Sequence, residues 1–358
     1  MPSYGAEKWL EPYEGRLSRT VLRGRRCSNA LLLPDAVHGV NEAGKPALVH
    51  PDVKRAKLLE LIAKLPPCLI GMEACSGAHH WAREFQKFGH TVRIMAPKFV
   101  VPYRMGGKHG KNEAADAAAI CEAVARPNMR FVPIKSIEQQ GKLFVHRAHQ
   151  GYVGERTALI NRIRGLLCEL GVVLPQAFKA FHKGVHEALE DLPGYCNQII
   201  GELMNELTHV QERIAQSERQ IQLMARDDPQ AQRLMQLRGV GPTTASAIVA
   251  SIGNGHDFKN GRQFSAWLGL VPKQHSSGGK SKLGSITKAG DNHMRTLLVM
   301  GAKSLLASAA GKADPVSRWA LQIKERRGYG RALVAIAAKN ARMCWAALHL
   351  QEEFKMPA

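Results

Sequence analysis

The chain has 358 residues, 45% of them hydrophobic, enough for two or three domains with real cores. Its 50 Lys and Arg against 30 Asp and Glu give a net charge of +20, which points to a polyanion, nucleic acid first, as partner. No run of 18 apolar residues and no apolar signal core occur, and the seven Cys are odd in number without a CxxC, so a membrane span, a secretory leader, a disulfide framework and structural zinc are not expected. Reduced, mostly buried thiols in a cytoplasmic protein are.

Residues 1–35, Arg-rich and patternless ("RLSRTVLRGRRC"), read as an atypical leader. From Ala36 an α/β pattern begins. "AVHGVNEAGKPALV" predicts two strands around a turn at Glu42-Ala43-Gly44. "KRAKLLELIAKL" sets Leu58, Leu59, Ile62 and Leu65 at helical spacing. "PCLIGMEAC" opens as a buried strand that stops at Glu73; "GAHHWAREFQKFG" reads as a helix closed by Gly89; "HTVRIMAP" is another strand. "NEAADAAAICEAVAR" is a helix and "MRFVPIK" a last strand. Such alternation predicts a mainly parallel sheet covered by helices, over residues 36–140.

Residues 141–230 change character. Ile200, Leu203, Leu207, Val210, Ile214, Ser217, Ile221 and Met224 form a heptad seam with one polar interruption. The seam pairs either with another chain or with the helix around Ala158–Gly171. Residues 231–358 are helical with Gly-rich breaks, including "PVSRWALQIKER" and "RALVAIAAKNARMCWAALHL", and carry 19 Lys and Arg against six acids.

Three features bear on chemistry. Glu113 and Asp116 share a helix face, and Glu73 ends a strand, where open sheets bind ligands. Three such carboxylates suit Mg²⁺, which takes hard oxygen ligands; equally, acids near a helix start meet its dipole with no metal involved. "LRGVGPTTASAIVASIG" matches a helix-hairpin-helix, with Gly239, Gly241 and Thr243 at a turn able to approach DNA phosphate, or a plain helix connection. "GLVPKQHSSGGKSKLGSITKAG" sets Ser276 and Ser277 beside Lys280, Lys282 and Lys288, either as a flexible linker or as a nucleophile among phosphate-binding cations.

Together with "LPPCLIGMEACSGAHHWAREF", "FSAWLGLVPKQHSSGGKSKLGSITKAGD" and "MRTLLVMGAKSLL", these stretches resemble the insertion-sequence transposases of the family numbered one hundred and ten, in its eleven-eleven branch, with the Piv/MooV invertases as kin. The likeness runs from about Val37 to Leu350. It implies a RuvC-like (RNase H-type) N-terminal domain with a four-acid Mg²⁺ site. A coiled-coil connector and a C-terminal domain bearing a nucleophilic serine would follow. On that likeness Glu73, Glu113 and Asp116 are the second, third and fourth acids and Ser277 the nucleophile. It further implies DNA as substrate, a structured noncoding RNA as guide, and a homo-oligomer whose active sites combine two protomers.

Two departures stand out. The third acid, usually Asp, is Glu113. The first acid, expected in the first strand, has no match; the local sequence reads "RRCSNALLLPDAV", where Asp35 is the nearest carboxylate, as if residues 1–36 were substituted or frame-shifted. Three functions are therefore carried forward: an active serine recombinase, a catalytically silent nucleic-acid binder, and a RuvC-type junction nuclease.

Overall fold

The computed structural model describes residues 17–23, 35–104 and 113–350; of 17–23, Asp35, Pro51, Glu113, Ala114 and Ser281 it describes the backbone alone. The chain divides into two compact units, residues 1–136 and 137–358.

In the first unit, strands β1 (Leu17–Arg23), β2 (Asp35–Asn41) and β3 (Pro46–Val53) lead to helix α1 (Arg55–Ala63). Strand β4 (Leu69–Glu73), helix α2 (Ala78–Lys87) and strand β5 (Thr91–Met95) follow. The short helix α3 (Pro97–Val100) continues into a 3₁₀ turn, and helix α4 (Glu113–Val124) and strand β6 (Phe131–Val132) complete the unit. The sheet order is β3-β2-β1-β4-β5-β6. Only the β1·β4 and β4·β5 pairings are parallel; β1·β2, β2·β3 and β5·β6 are antiparallel. The expected mainly parallel sheet is thus mixed. The cause is local: the turn after Asn41, with Gly44 at φ +77°, is too tight for anything but an antiparallel hairpin.

Part of the expected leader is structural. Residues Leu17–Arg23 form an interior strand bonded to both β2 and β4. An Arg-rich strand with no apolar alternation offers no period to read.

Helices cover both sheet faces. On one, Leu58 and Ile62 of α1 and Ala82 and Phe85 of α2 pack on Ile70, Met72, Val92 and Ile94. On the other lies α4, through Ala117, Ile120, Cys121 and Val124. Its many alanines and Gly71 let it come close: a Cβ at Gly71 would stand 2.9 Å from Val124 Cβ. Side chains alternate along a strand, so Leu69, Gly71 and Glu73 face α4 while Ile70 and Met72 face α1 and α2.

The second unit is mostly helical: α5 (Ile137–Glu169), α6 (Phe178–Asp191), α7 (Gly194–Arg226), α8 (Pro229–Met235), α9 (Pro242–Ile252) and α10 (Gly261–Trp267) come first. Strands β7 (Pro272–Ser277) and β8 (Lys280–Ile286) make a hairpin, followed by α11 (Asn292–Ala307), α12 (Pro315–Arg327) and α13 (Tyr329–His349). Helices α5 and α7, each 33 residues and so about 50 Å long, pack along one another. The heptad seam is occupied within the chain: Leu159, Ile163 and Leu167 of α5 meet Ile200, Leu207, Val210 and Ile214 of α7. Met204 and Ala225 are buried alongside the predicted positions. The polar interruption is matched, because Ser217 Oγ donates to the Ile214 carbonyl and accepts from His149 Nδ1 at 3.0 Å.

Helix α9 is the axis of the second unit, buried from Thr244 to Ile252. Facing it, His146 of α5 sits 3.0 Å from Ser246 Oγ, with the His293 ring 6.3 Å away. Burial first, then the neighbouring His293 and His149, push the His146 imidazole down to about 4. Among the described residues no helix is long and apolar enough to cross a membrane. No disulfide joins the six described thiols: Cys68, Cys121 and Cys344 are buried, whereas Cys168 is exposed.

Candidate active site: a carboxylate pair and a serine hairpin

The end of β4 and the first turns of α4 bring two acids together. Glu73 is the last residue of β4 and faces α4 by strand parity. Asp116 lies one turn before Ile120 on the α4 face that meets the sheet, and is wholly buried. A buried carboxylate needs a counter-charge, and Arg104 supplies it. Its Nε pairs with Asp116 Oδ1, and its Nη2 lies 3.9 Å from Glu73 Oε1. The three side chains are 13% (Arg104), 8% (Glu73) and 1% (Asp116) exposed, so the cluster is largely dry.

Arg104 was not legible in the sequence. A single Arg in a chain with 50 Lys and Arg carries no signal, and its partners lie 31 residues before and 12 after it. The cluster shows that Glu73 and Asp116 converge on a space that already accepts a cation. Two carboxylates around one cation are hard oxygen donors, which fits Mg²⁺. Glu113 opens α4, but its side chain lies outside the described residues. The missing first acid is also absent from β1, whose sequence LSRTVLR contains no carboxylate. Asp35 opens β2; since Arg23 pairs with Ala36 and Leu22 with Met72, the register sets Asp35 at the same sheet edge as Glu73, two strands away.

In the second unit the serine stretch is neither a linker nor a loop. It is a two-stranded hairpin turned by Gly278 (φ +54°) and Gly279 (φ +77°), the pair of positive φ values that a two-residue hairpin turn demands. Ser277 pairs with Lys280, and His275 with Lys282, so these four residues share one face of the ribbon. All of β7 is exposed. Ser276, on the opposite face, accepts from Gln274 Nε2 at 2.7 Å.

The hairpin's feet are rigid. Gly269 and Gly290 press against Ala289 and Trp267, and a Cβ at Gly290 would come within 2.0 Å of the Trp267 carbonyl. Arg295 donates to the carbonyls of Leu268 (3.0 Å) and Ala289 (3.1 Å). Lys288 belongs to this base, with φ +54° and its N–H bonded to the Gly269 carbonyl, and not to the ribbon that carries Ser277.

The α8–α9 connection divides the proposed phosphate-binding residues. Gly239 (φ +78°) is pressed against α11: a Cβ there would stand 2.7 Å from the Gly301 carbonyl, and Asn340 Nδ2 donates to the Arg238 carbonyl beside it. Packing therefore accounts for this glycine. Gly241 is exposed at the N-cap of α9 with open space around it, and Thr243 is half-buried in the first turn.

Comparisons with known proteins agree on one family. Residues 231–315 match the family model described as "Transposase IS116/IS110/IS902 family". The chain is 46% identical over 317 residues to a "Probable family 20 transposase" of Pseudomonas aeruginosa, covering 87% of this chain and 93% of the relative. It is 40% identical over 324 residues to the "Transposase for insertion sequence element IS1111A" of Coxiella burnetii, covering 89% and 88%. A third relative, the "Transposase for insertion sequence element IS1328" of Yersinia enterocolitica, is 34% identical over 299 residues, with 83% and 89% covered.

Proposed function

Because the chain belongs to the IS116/IS110/IS902 transposase family, we propose that it cuts and rejoins the DNA of an insertion sequence through a Ser277 nucleophile assisted by a Glu73–Asp116 metal site. The observation that carries this reading is the buried carboxylate pair at a sheet edge, already gathered around a cation. The strand order β3-β2-β1-β4-β5, antiparallel through β1 and then parallel, supports an RNase H-type first unit. The short α8, the turn at Gly239–Gly241 and α9 support the helix-hairpin-helix reading.

In this reading Glu73 and Asp116, with Glu113, would hold Mg²⁺, which when bound withdraws charge from a phosphodiester. The chain's own residues do the rest. Lys280 and Lys282 hold phosphates on the ribbon face they share with Ser277. Ser277 Oγ attacks phosphorus; an Oγ–P bond forms, the bond to one bridging DNA oxygen breaks, and that oxygen leaves protonated as the serine sheds its proton. A second DNA end then attacks the serine ester and releases the enzyme. The ester keeps the phosphodiester energy, so no nucleotide is consumed.

A structured guide RNA, assembly into an oligomer with composite sites, a cytoplasmic setting, and the division into 36–140, 141–230 and 231–358 are parts of the same proposal. The net charge of +20 supports a nucleic-acid partner. One observation favours the silent binder instead: β1 carries no carboxylate. The test is a covalent trap, in which protein, guide RNA, Mg²⁺ and donor DNA are combined and run on a denaturing gel. The proposal expects a Mg²⁺-dependent protein–DNA adduct that Ser277→Ala abolishes. No adduct favours the binder, and junction cleavage indifferent to Ser277→Ala favours the nuclease.

A further inference from the structure

Away from the carboxylate cluster and the serine hairpin, cations concentrate at the corner between α12 and α13. From Asn292 to Leu350 the chain has ten Lys and Arg and only two acids, Asp314 and Glu325. Asp314 is consumed locally: it caps α12 at the Ser317 N–H and pairs with Arg238 at 2.9 Å. Glu325 therefore stands alone against the cations of the corner sequence "KERRGYGR". Lys324, Arg326, Arg327 and Arg331 are all exposed, and none of their side chains has a hydrogen bond or ion pair to the described residues. Between them Tyr329 is 48% exposed, flanked by Gly328 and Gly330, around which a Cβ would meet nothing within 4 Å.

Folding accounts for part of this. Cations in the last turn of α12 meet the negative end of its dipole. The same argument makes Arg331, in the first turn of α13, unfavourable there, and no acid in that turn offsets it. A half-exposed tyrosine amid unpaired arginines likewise leaves ring surface uncovered by the protein itself. Both features are suited to unpaired nucleotides, whose phosphates take the cations and whose bases stack on an aromatic face.

We infer that the α12–α13 corner is a docking surface for single-stranded DNA, with Arg326, Arg327 and Arg331 on phosphates and Tyr329 stacked on a base. DNA is chosen because the relatives are transposases, and the inference rests on the proposed function for that partner alone. The test needs no catalysis. It uses the full-length chain carrying Ser277→Ala in EDTA, so its failure is separate from failure of the covalent chemistry.

Fluorescence anisotropy would measure binding of a 15-nucleotide oligothymidine, a duplex of the same length and an oligouridine. The triple variant Arg326→Ala/Arg327→Ala/Arg331→Ala is expected to weaken oligothymidine binding at least tenfold and flatten its salt slope by about 2. Tyr329→Ala is expected to weaken it about 5- to 100-fold while duplex binding stays within about twofold. All four residues are exposed, and an unchanged melting temperature verifies folding. Native-like binding by both variants would overturn the inference. So would equal loss on duplex and single strand for Tyr329→Ala, which marks a general phosphate anchor, or a greater loss on oligouridine, which marks an RNA surface.

Discussion

The carboxylate pair of the first unit and the serine hairpin of the second are built on opposite principles. In the first unit Glu73 and Asp116 are buried, dry and neutralised by Arg104. In the second, Ser277 stands in solvent on a two-stranded ribbon, among cations that nothing in the described chain neutralises. On the proposed function the contrast has a reason: groups that hold a cation need a fixed, low-dielectric cage, and a nucleophile that must reach a DNA backbone needs exposure on a stiff arm. Rigidity enters both halves, in one through close packing of an alanine-rich helix and in the other through glycines at the hairpin's feet.

The largest effect that sharpens this contrast is loss of chemistry without loss of structure. Ser277→Ala should remove the covalent adduct altogether while leaving the melting temperature within about 1 °C, since its side chain is exposed. In contrast, Arg104→Ala should lower the melting temperature of the protein in EDTA, because it removes the guanidinium paired with two buried carboxylates. Millimolar Mg²⁺ should recover much of that loss by replacing the missing cation. A melting temperature insensitive to both the substitution and Mg²⁺ would break the claim that this space is a cation site.

Next comes pH. The His146 pKa is lowered to about 4 from 6.5, so the neutral form is the one the fold favours. Its contribution is fully present above about pH 6.5 and is lost as pH falls towards 4, where the unfolded chain binds the extra proton. Chemical denaturation at pH 7 and 4.5 should differ by roughly 2 kcal/mol from this group. Its surroundings are Ser246 on α9, His293 on α11 and His149 on its own helix; burial lowers the His293 pKa too, which adds in the same direction. His146→Gln should flatten the pH dependence, and an unchanged profile would contradict this origin.

Gly301→Ala should cost about 1–3 kcal/mol, because the new Cβ would fall 1.9 Å from the Gly239 carbonyl and force α11 from the α8–α9 turn. The smallest effect is Ser217→Ala, about 1 kcal/mol by thermal melting, from the loss of the bond to His149 inside an otherwise apolar seam.

What could be read in the sequence follows from range. The alternation of β2 to β6 with helices, the seam of α7 and the two last helices rest on local periodicity and were legible. The partner of the seam was open until Leu159, Ile163 and Leu167 were found against it. Strand β1 was missed because Arg19, Thr20 and Arg23 disguise an interior strand. The serine hairpin was missed because Ser, Gly and Lys compose linkers and ribbons alike, and only the positive φ of Gly278 and Gly279 separates them. Of the site, Glu73 and Asp116 were legible from a strand end and a helix start. Arg104, which joins them, was not, since a long-range ion pair leaves no spacing in the chain.

The central claim is that the carboxylate cage and the serine ribbon act on one DNA linkage, supplied by different protomers. The most direct measurement mixes two inactive full-length variants, Asp116→Asn and Ser277→Ala, with guide RNA, Mg²⁺ and donor DNA. The account predicts that neither forms an adduct alone, and that the mixture forms one carried only by the Asp116→Asn chain through Ser277. A mixture as silent as its parts, under conditions where the native chain forms the adduct, would contradict it.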